Sequence, residues 1–158
     1  MEQNAVPGLA NRILGRWTDF AAVTDARTSA FFGKRAVVTG NPVRPQFKTI
    51  PPKRHEPPYT VLVFGGSQGA QAINNAVRGA VGLLQDWRGR LRFVHQTGEK
   101  QLEEMRRAYR DAGFEADVRA FFSDFHEQYA AADLIVSRAG ATTVAEVKAA
   151  GQIGRAHV

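Results

Sequence analysis

The chain has 158 residues, of which 21 are Lys or Arg and 15 are Asp or Glu, and its formal net charge is +6. Hydrophobic residues make up 44% of it and charged residues 23%, which excludes a disordered, collagenous or coiled-coil chain. The sequence contains no cysteine, so disulfides, cysteine zinc sites and thiol catalysis are excluded. No apolar run approaches the roughly 20 residues that a membrane-spanning helix needs.

Positive charge is concentrated in the first part of the chain. Residues 1–58 hold nine Lys or Arg against four Asp or Glu, whereas residues 59–158 hold twelve against eleven. A basic excess is compatible with a nucleic acid, an anionic lipid surface or a phosphorylated ligand. Solvated charges scattered over the surface also account for it, so charge alone does not choose a partner.

The elements before residue 59 give weak signals. The pattern predicts a helix over 8–17 and short strands at 20–24 and 36–39. Residues 45–58 then hold five of the seven prolines, which is typical of a linker or an extended connection.

Strands and helices alternate from residue 59 onward. Short apolar runs predict the strands, and apolar residues at helical spacing predict the helices. The predicted strands cover 59–64, 91–95, 117–121 and 133–137, and the predicted helices cover 69–85, 99–112, about 124–132 and a segment that starts near residue 143. This order indicates βαβ units, a parallel sheet and an α/β fold.

A glycine-rich loop lies between the first of these strands and its helix. It reads Gly65, Gly66, Ser67, Gln68, Gly69. Glycines allow a close approach of the backbone, and the following helix N-terminus attracts anions. We therefore treat the loop as a candidate phosphate loop, although a tight turn without a ligand explains the glycines equally well. The loop matches neither the GxGxxG pattern nor a P-loop.

A second loop, SRAGATTVAE at 137–146, follows the last predicted strand. In open α/β sheets, ligands bind at this carboxyl edge. Glu146 has two interpretations. It completes a capping box with Thr143, or its carboxylate accepts hydrogen bonds from the hydroxyls of a nucleotide ribose.

Other polar residues give weaker signals on their own. Arg44, in GNPVR, is either a phosphate contact or a surface arginine. The four histidines lack metal-ligand spacing, and His95, at a strand end, is either pocket lining or a hydrogen-bonded core residue.

Taken in order, the motifs are more specific than any one of them. The chain contains GNPVR, then GGSQGA between a strand and a helix, then HQTG, then AAADLIVSRAGATTVAE. This set resembles the MurG family of bacterial glycosyltransferases over about residues 2–152. The segment EQNAVPGLANR resembles the family segment that links the functional surfaces of its two domains.

The resemblance implies a GT-B fold, in which two Rossmann-like domains face each other across a cleft. It implies an inverting transfer of N-acetylglucosamine from UDP-N-acetylglucosamine to lipid I, an undecaprenyl-pyrophosphoryl-N-acetylmuramyl-pentapeptide, which gives the peptidoglycan precursor lipid II. It further implies a peripheral protein at the cytoplasmic face of the bacterial plasma membrane that uses no cofactor, metal ion or nucleic acid.

The resemblance also implies which residues contact the donor, with Glu146 at the ribose. These residues are Asn4, Arg44, Ser67, Phe122, Ala141, Thr142, Thr143, Val144, Ala145 and Glu146. No catalytic residue is predicted, because the family's candidate catalytic histidine belongs to N-terminal sequence that this chain does not contain.

The domain prediction follows from the same resemblance. Residues 1–44 are expected to end an acceptor domain, 45–58 to form the interdomain linker, and 59–152 to form part of a UDP-sugar donor domain. Residues 153–158, IGRAHV, are what a common sequencing adapter encodes in one frame, so we expect a non-native tail. As a central fragment, the chain itself is expected to be inactive.

Three alternatives stay open at this point. One is another GT-B nucleotide-sugar transferase that acts on a glycolipid. The second is a nucleotide-binding or redox Rossmann protein, and the third is a non-catalytic basic binding module.

Overall fold

The structure, a computed structural model, describes residues 1–51, 53–66 and 69–151. The strands in these ranges are β1 (Ala21–Val23), β2 (Ala36–Val38), β3 (Tyr59–Phe64), β4 (Leu91–Gln96), β5 (Glu115–Arg119) and β6 (Leu134–Ser137). The α-helices are α1 (Leu9–Leu14), α2 (Ser29–Phe32), α3 (Gln71–Val81), α4 (Leu102–Ala112), α5 (Phe125–Ala131) and α6 (Ala141–Ala149).

The main sheet has the strand order β5-β4-β3-β6, and all of its pairs are parallel. Strand β3 is an apolar run because both of its faces are covered. Val61 and Val63 belong to one core and Leu62 and Phe64 to another. The α/β class and the parallel sheet predicted from the sequence are thus confirmed.

The direction of strand addition reverses at β3. From β3 the chain runs through α3, β4 and α4 to β5, and β6 then pairs with the opposite side of β3. In open α/β sheets, such a switch point leaves a crevice outside the carboxyl ends of the two flanking strands. Strands β3, β4 and β6 end at the same height in the sheet, because Phe64 at the end of β3 pairs with both Gln96 and Ser137.

The first part of the chain forms a separate small sheet. Strands β1 and β2 pair in parallel, and Glu2 forms a bridge to Val23. Val23 is completely buried, whereas α1 has no buried residue.

The proline-rich segment packs against the main sheet over part of its length. Pro45–Thr49 form a 3-10 helix that buries Phe47 completely, with its ring edge-on to Tyr129 at a centroid distance of 5.0 Å. Further along, Lys53 and His55 both contact Asp133, just before β6. The proline-rich segment therefore packs along the main sheet.

Several predicted elements have other bounds in the structure. Helix α1 is shorter than the predicted 8–17, and α3 ends at Val81, four residues before the predicted end at residue 85. Strand β5 lies two residues earlier than 117–121, because its pairing with β4 places Arg119 opposite Gln96 and leaves Phe121 exposed. Helix α6 starts at Ala141, with Gly140 as its N-cap residue. Within the described residues, no helix has both the length and the apolar character needed to cross a membrane.

Candidate functional site

The glycine loop follows β3 at the switch point. Gly66 and Gly69 have φ angles of 104° and 75°, which favour glycine over any residue with a Cβ. A Cβ at Gly69 would overlap the backbone carbonyl of Thr97, and a Cβ at Gly65 would overlap Ala70. Glycine at position 69 thus lets the backbone lie against Thr97, the residue that follows β4. The predicted contacts Ser67 and Gln68 lie outside the described residues.

The second predicted loop follows β6 on the other side of the switch point. Gly140 caps α6 without a side-chain hydrogen bond, and the first N–H groups of a helix have no partner within it. Thr143 is already the third helical residue, so the capping-box interpretation of Thr143 and Glu146 is wrong. The turn formed by Ala141, Thr142, Thr143, Val144 and Ala145 begins a helix whose positive end lies at the carboxyl edge of the sheet.

The structure brings together two predicted contacts that are 102 positions apart. Arg44 Nη2 lies 3.3 Å from Glu146 Oε1. The Glu146 residue is only 8% exposed, whereas the Arg44 side chain is 58% exposed and lies over the Phe47 ring at 4.9 Å. A carboxylate has about four acceptor positions, so Glu146 can bind Arg44 and still accept further hydrogen bonds.

Arg138 is a residue that the sequence analysis did not single out. It follows β6 and is exposed, and a Cβ built on Gly66 would lie 3.4 Å from its Nη2 atom. A guanidinium beside a glycine loop and a helix N-terminus suits a phosphate group. The signal in the sequence is its position directly after a predicted strand.

Phe122 lies at the same edge of the sheet, but the residue is only 2% exposed and packs in the core. The guanidinium of Arg119 covers the ring at 4.8 Å. Its backbone N–H donates to Gln96 Oε1 at 2.8 Å. A donor contact by the ring would therefore require a rearrangement of this loop.

Asn4 lies in the N-terminal part of the chain. Its side chain and its backbone N–H both donate to the Glu2 carboxylate, which also accepts from Gly8 and Asn11. Burial acts to raise the pKa of Glu2, but the hydrogen bonds from Asn11, Asn4 and Gly8 outweigh burial and lower that pKa. Among the described contacts, none joins Asn4 to the Arg44–Glu146 pair.

His95 is a buried structural residue. Its Nδ1 lies 2.9 Å from the Tyr109 hydroxyl and its Nε2 lies 3.0 Å from Asn74 Oδ1. Burial lowers the pKa of His95 to about 4. The ring is therefore neutral at neutral pH and is enclosed by α3 and α4, which favours the core interpretation over pocket lining.

A separate groove of about 650 Å³ lies between α4 and β5. Arg106, Arg110, Glu115 and Asp117 are among its lining residues. None of the described predicted donor contacts lines it, and its mixed charges give no reason to place a phosphorylated ligand there.

The fold is thus a doubly wound α/β domain with two glycine-containing loops at its switch point. A sequence model described as the glycosyltransferase family 28 C-terminal domain matches residues 60–154, and the chain belongs to this family. These findings also confirm the GT-B class predicted from the motifs.

Individual relatives agree with the family. The chain is 48% identical over 155 residues to the UDP-N-acetylglucosamine--N-acetylmuramyl-(pentapeptide) pyrophosphoryl-undecaprenol N-acetylglucosamine transferase of Syntrophus aciditrophicus (strain SB), covering 96% of this chain and 43% of that protein. It is 44% identical over 155 residues to the protein of the same name from Citrifermentans bemidjiense, with the same coverage.

A solved structure gives the same result. The crystal structure of Acinetobacter baumannii MurG superposes with a TM-score of 0.70 at 34% identity, over 92% of this chain and 41% of that one. The resemblance to the MurG family is confirmed, and the chain spans about two fifths of the length of these relatives.

Proposed function

We propose that this chain forms the donor-nucleotide part of a glycosyltransferase that moves N-acetylglucosamine from UDP-N-acetylglucosamine to lipid I. The names of the relatives supply the reaction. The observation that carries the proposal is the placement of two loops at one switch point. The glycine loop follows β3, and the loop with Arg138 and the α6 N-terminus follows β6.

Each part of this edge suits one part of UDP. Arg138 and the first N–H groups of α6 would bind the diphosphate, because a guanidinium and a helix N-terminus both attract negative charge. The Glu146 carboxylate accepts hydrogen bonds from the ribose hydroxyls, and Arg44 lies beside it. Ser67 and Asn4 are the further predicted donor contacts.

In the proposed reaction, the acceptor hydroxyl attacks the anomeric carbon of the sugar. A carbon–oxygen bond forms with inversion, the bond to the phosphate oxygen breaks, and UDP leaves with the electron pair. Negative charge grows on the diphosphate, and the donors at this edge stabilise it without reorganisation. The base that takes the hydroxyl proton is not assigned to a residue of this chain.

The acceptor places the reaction at a membrane. Lipid I carries an undecaprenyl chain, so we propose that the protein works as a peripheral protein at the cytoplasmic face of the plasma membrane. The basic excess in residues 1–58 is compatible with an anionic lipid surface.

Calorimetric titration of the chain with UDP, ADP and double-stranded DNA tests the proposal. We expect UDP to bind at least about tenfold more tightly than ADP, a difference of about 1.4 kcal/mol. Equal binding of UDP and ADP would contradict a uridine-nucleotide site. Salt-dependent DNA binding without UDP binding would favour the basic binding module instead.

A further inference from the structure

Gln96 is a buried polar residue that the proposed reaction does not use directly. It is the last residue of β4, between β3 and β5, and it is only 3% exposed. A buried amide needs hydrogen-bond partners, and the sheet ladder does not use side chains. The hydrogen-bond partners of the Gln96 side chain therefore identify the segments that it connects.

The two ends of the amide hold two different loops. Nε2 donates to the carbonyl oxygen of Gly66, at 2.9 Å, and Oε1 accepts from the backbone N–H of Phe122, at 2.8 Å. One partner is an acceptor and the other a donor, so the orientation of the amide is fixed. Gln96 thereby connects the glycine loop after β3 with the loop after β5.

The bond to Gly66 also acts within the glycine loop. The Gly66 carbonyl accepts a second hydrogen bond, from the Gly69 N–H at 3.0 Å, and Gly69 lies two residues before α3. Gly66 is also the glycine that lies beside Arg138. Gln96 thus holds a carbonyl that also accepts from Gly69 and belongs to the residue beside Arg138.

We propose that Gln96 is a positioning residue that fixes the glycine loop and the Phe122 loop relative to each other, so that the site is already formed when UDP arrives. This inference rests on the proposed function. Preorganisation raises affinity because the loops lose less freedom on binding. Gln96 acts through these two backbone contacts.

The first test needs no ligand. Gln96→Met keeps the length of the side chain and removes both hydrogen bonds. We expect the amide protons of Gly69 and Phe122 to exchange faster with solvent in this variant, whereas the Asn74 amide, inside α3, keeps its protection. Gln101→Met is the matched control, since Gln101 hydrogen-bonds Asn74, Asn75 and Glu104 and neither loop.

The second test uses UDP. We expect Gln96→Met to bind UDP at least about tenfold more weakly than the unsubstituted chain, with a cooperative melt. Gln101→Met should bind within about twofold of the unsubstituted chain, because its substitution leaves both loops in place.

Gln96→Glu keeps the inference testable if Gln96→Met does not fold. The carboxylate still accepts from Phe122 but cannot donate to Gly66 when it is ionised. As the pH rises, we expect the UDP affinity of this variant to fall further below that of the unsubstituted chain. Over the same pH range, the Gly69 amide should lose protection against exchange at a lower pH than the Phe122 amide.

The outcomes separate the two proposals. Absence of UDP binding by the unsubstituted chain would contradict the proposed function, while the amide exchange would still decide whether Gln96 holds the two loops. Equal UDP binding by the unsubstituted chain and Gln96→Met would overturn only the positioning role. Failure of both Gln96 variants to fold would assign Gln96 to folding and would also overturn it.

Discussion

The contact between Arg44 and Glu146 joins the end of the GNPVR motif to α6. The carboxylate is nearly enclosed, while the Arg44 side chain is largely exposed and lies over the Phe47 ring. Water and salt screen an exposed guanidinium, so the attraction across this pair is modest. We infer that this contact holds the Glu146 carboxylate in place for the ribose hydroxyls of the proposed donor.

Glu146→Leu tests this explanation at the residue scale. Leu fills a similar volume but accepts no hydrogen bond, so the preference for UDP over 2′-deoxy-UDP should disappear and UDP affinity should fall about tenfold. Calorimetric titration with both nucleotides measures the effect. Glu127 is exposed on α5, so the control variant Glu127→Leu should still prefer UDP over 2′-deoxy-UDP. If Glu146→Leu also kept this preference, the ribose contact would be contradicted.

Part of the site could be predicted from single residues and part could not. Arg44 and Glu146 came from motifs, but a contact across 102 positions depends on the packing of the proline-rich segment against the sheet. Gln96 and Arg138 look like ordinary polar residues at strand ends, and only their distances to Gly66 give them a role. Phe122 was named, but its ring proved to be in the core.

At the scale of elements, glycines fix the turn between β3 and α3. Gly69 has a positive φ and faces the Thr97 backbone, whereas Gly79 lies within α3 with open space around it. Gly69→Ala should lower the free energy of unfolding by more than about 1 kcal/mol, and Gly79→Ala should raise it by about 0.5–1 kcal/mol. Denaturant unfolding measures both, and equal signs for the two variants would contradict this geometry.

Asp133 joins the proline-rich segment to the start of β6. Its side chain is 6% exposed and accepts from Lys53 Nζ at 2.6 Å, from the Thr60 N–H at 2.7 Å and from His55. Burial acts to raise the pKa of Asp133, but the hydrogen bonds from Lys53, Thr60 and His55 outweigh burial and lower that pKa. Asp133 therefore stabilises the fold above its ordinary pKa of 3.8, and this stabilisation is lost as the pH falls through the lowered value.

Asp133→Asn should lower the free energy of unfolding by about 2 kcal/mol at pH 7. The difference in unfolding free energy between this variant and the unsubstituted chain should be smaller at pH 3. Chemical denaturation at the two pH values measures it. The control is Asp117→Asn, which breaks a surface ion pair with Arg119 and should change the free energy of unfolding by less than about 0.5 kcal/mol. If the difference between Asp133→Asn and the unsubstituted chain were the same at both pH values, the Asp133 contacts would not be its cause.

Elements were predictable where local signals are strong. The run YTVLVF between prolines and glycines gave β3 with its bounds, because a buried parallel strand is apolar throughout. The bounds of β5 were wrong by two residues, since only its register with β4 places it. The domain boundaries stay predictions, and the expected tail at 153–158 lies outside the described residues.

At the scale of the whole molecule, His95 links stability to pH. Its ring joins α3 and α4 through Asn74 and Tyr109, and burial holds its pKa at about 4. The unfolded chain takes up a proton near pH 6.5 and the folded chain does not. Stability should therefore fall by about 3 kcal/mol as the pH falls from 7 to 4.

His95→Gln should remove most of this pH dependence, whatever its effect on stability at pH 7. His126→Gln, a partly exposed position, should leave the dependence intact. Unfolding free energies between pH 7 and 4 for the three chains measure the difference. An unchanged slope in His95→Gln would show that the buried ring is not its source.

The central claim is that the loops on both sides of β3 form one uridine-nucleotide site. Titration of the ¹⁵N-labelled chain with UDP, followed amide by amide, tests it most directly. The claim predicts shifts at Gly66, Gly69, Arg138 and Thr143, with none at Asp133 or Thr60 at the opposite edge of the sheet. Shifts confined to that opposite edge, or to the groove between α4 and β5, would contradict it.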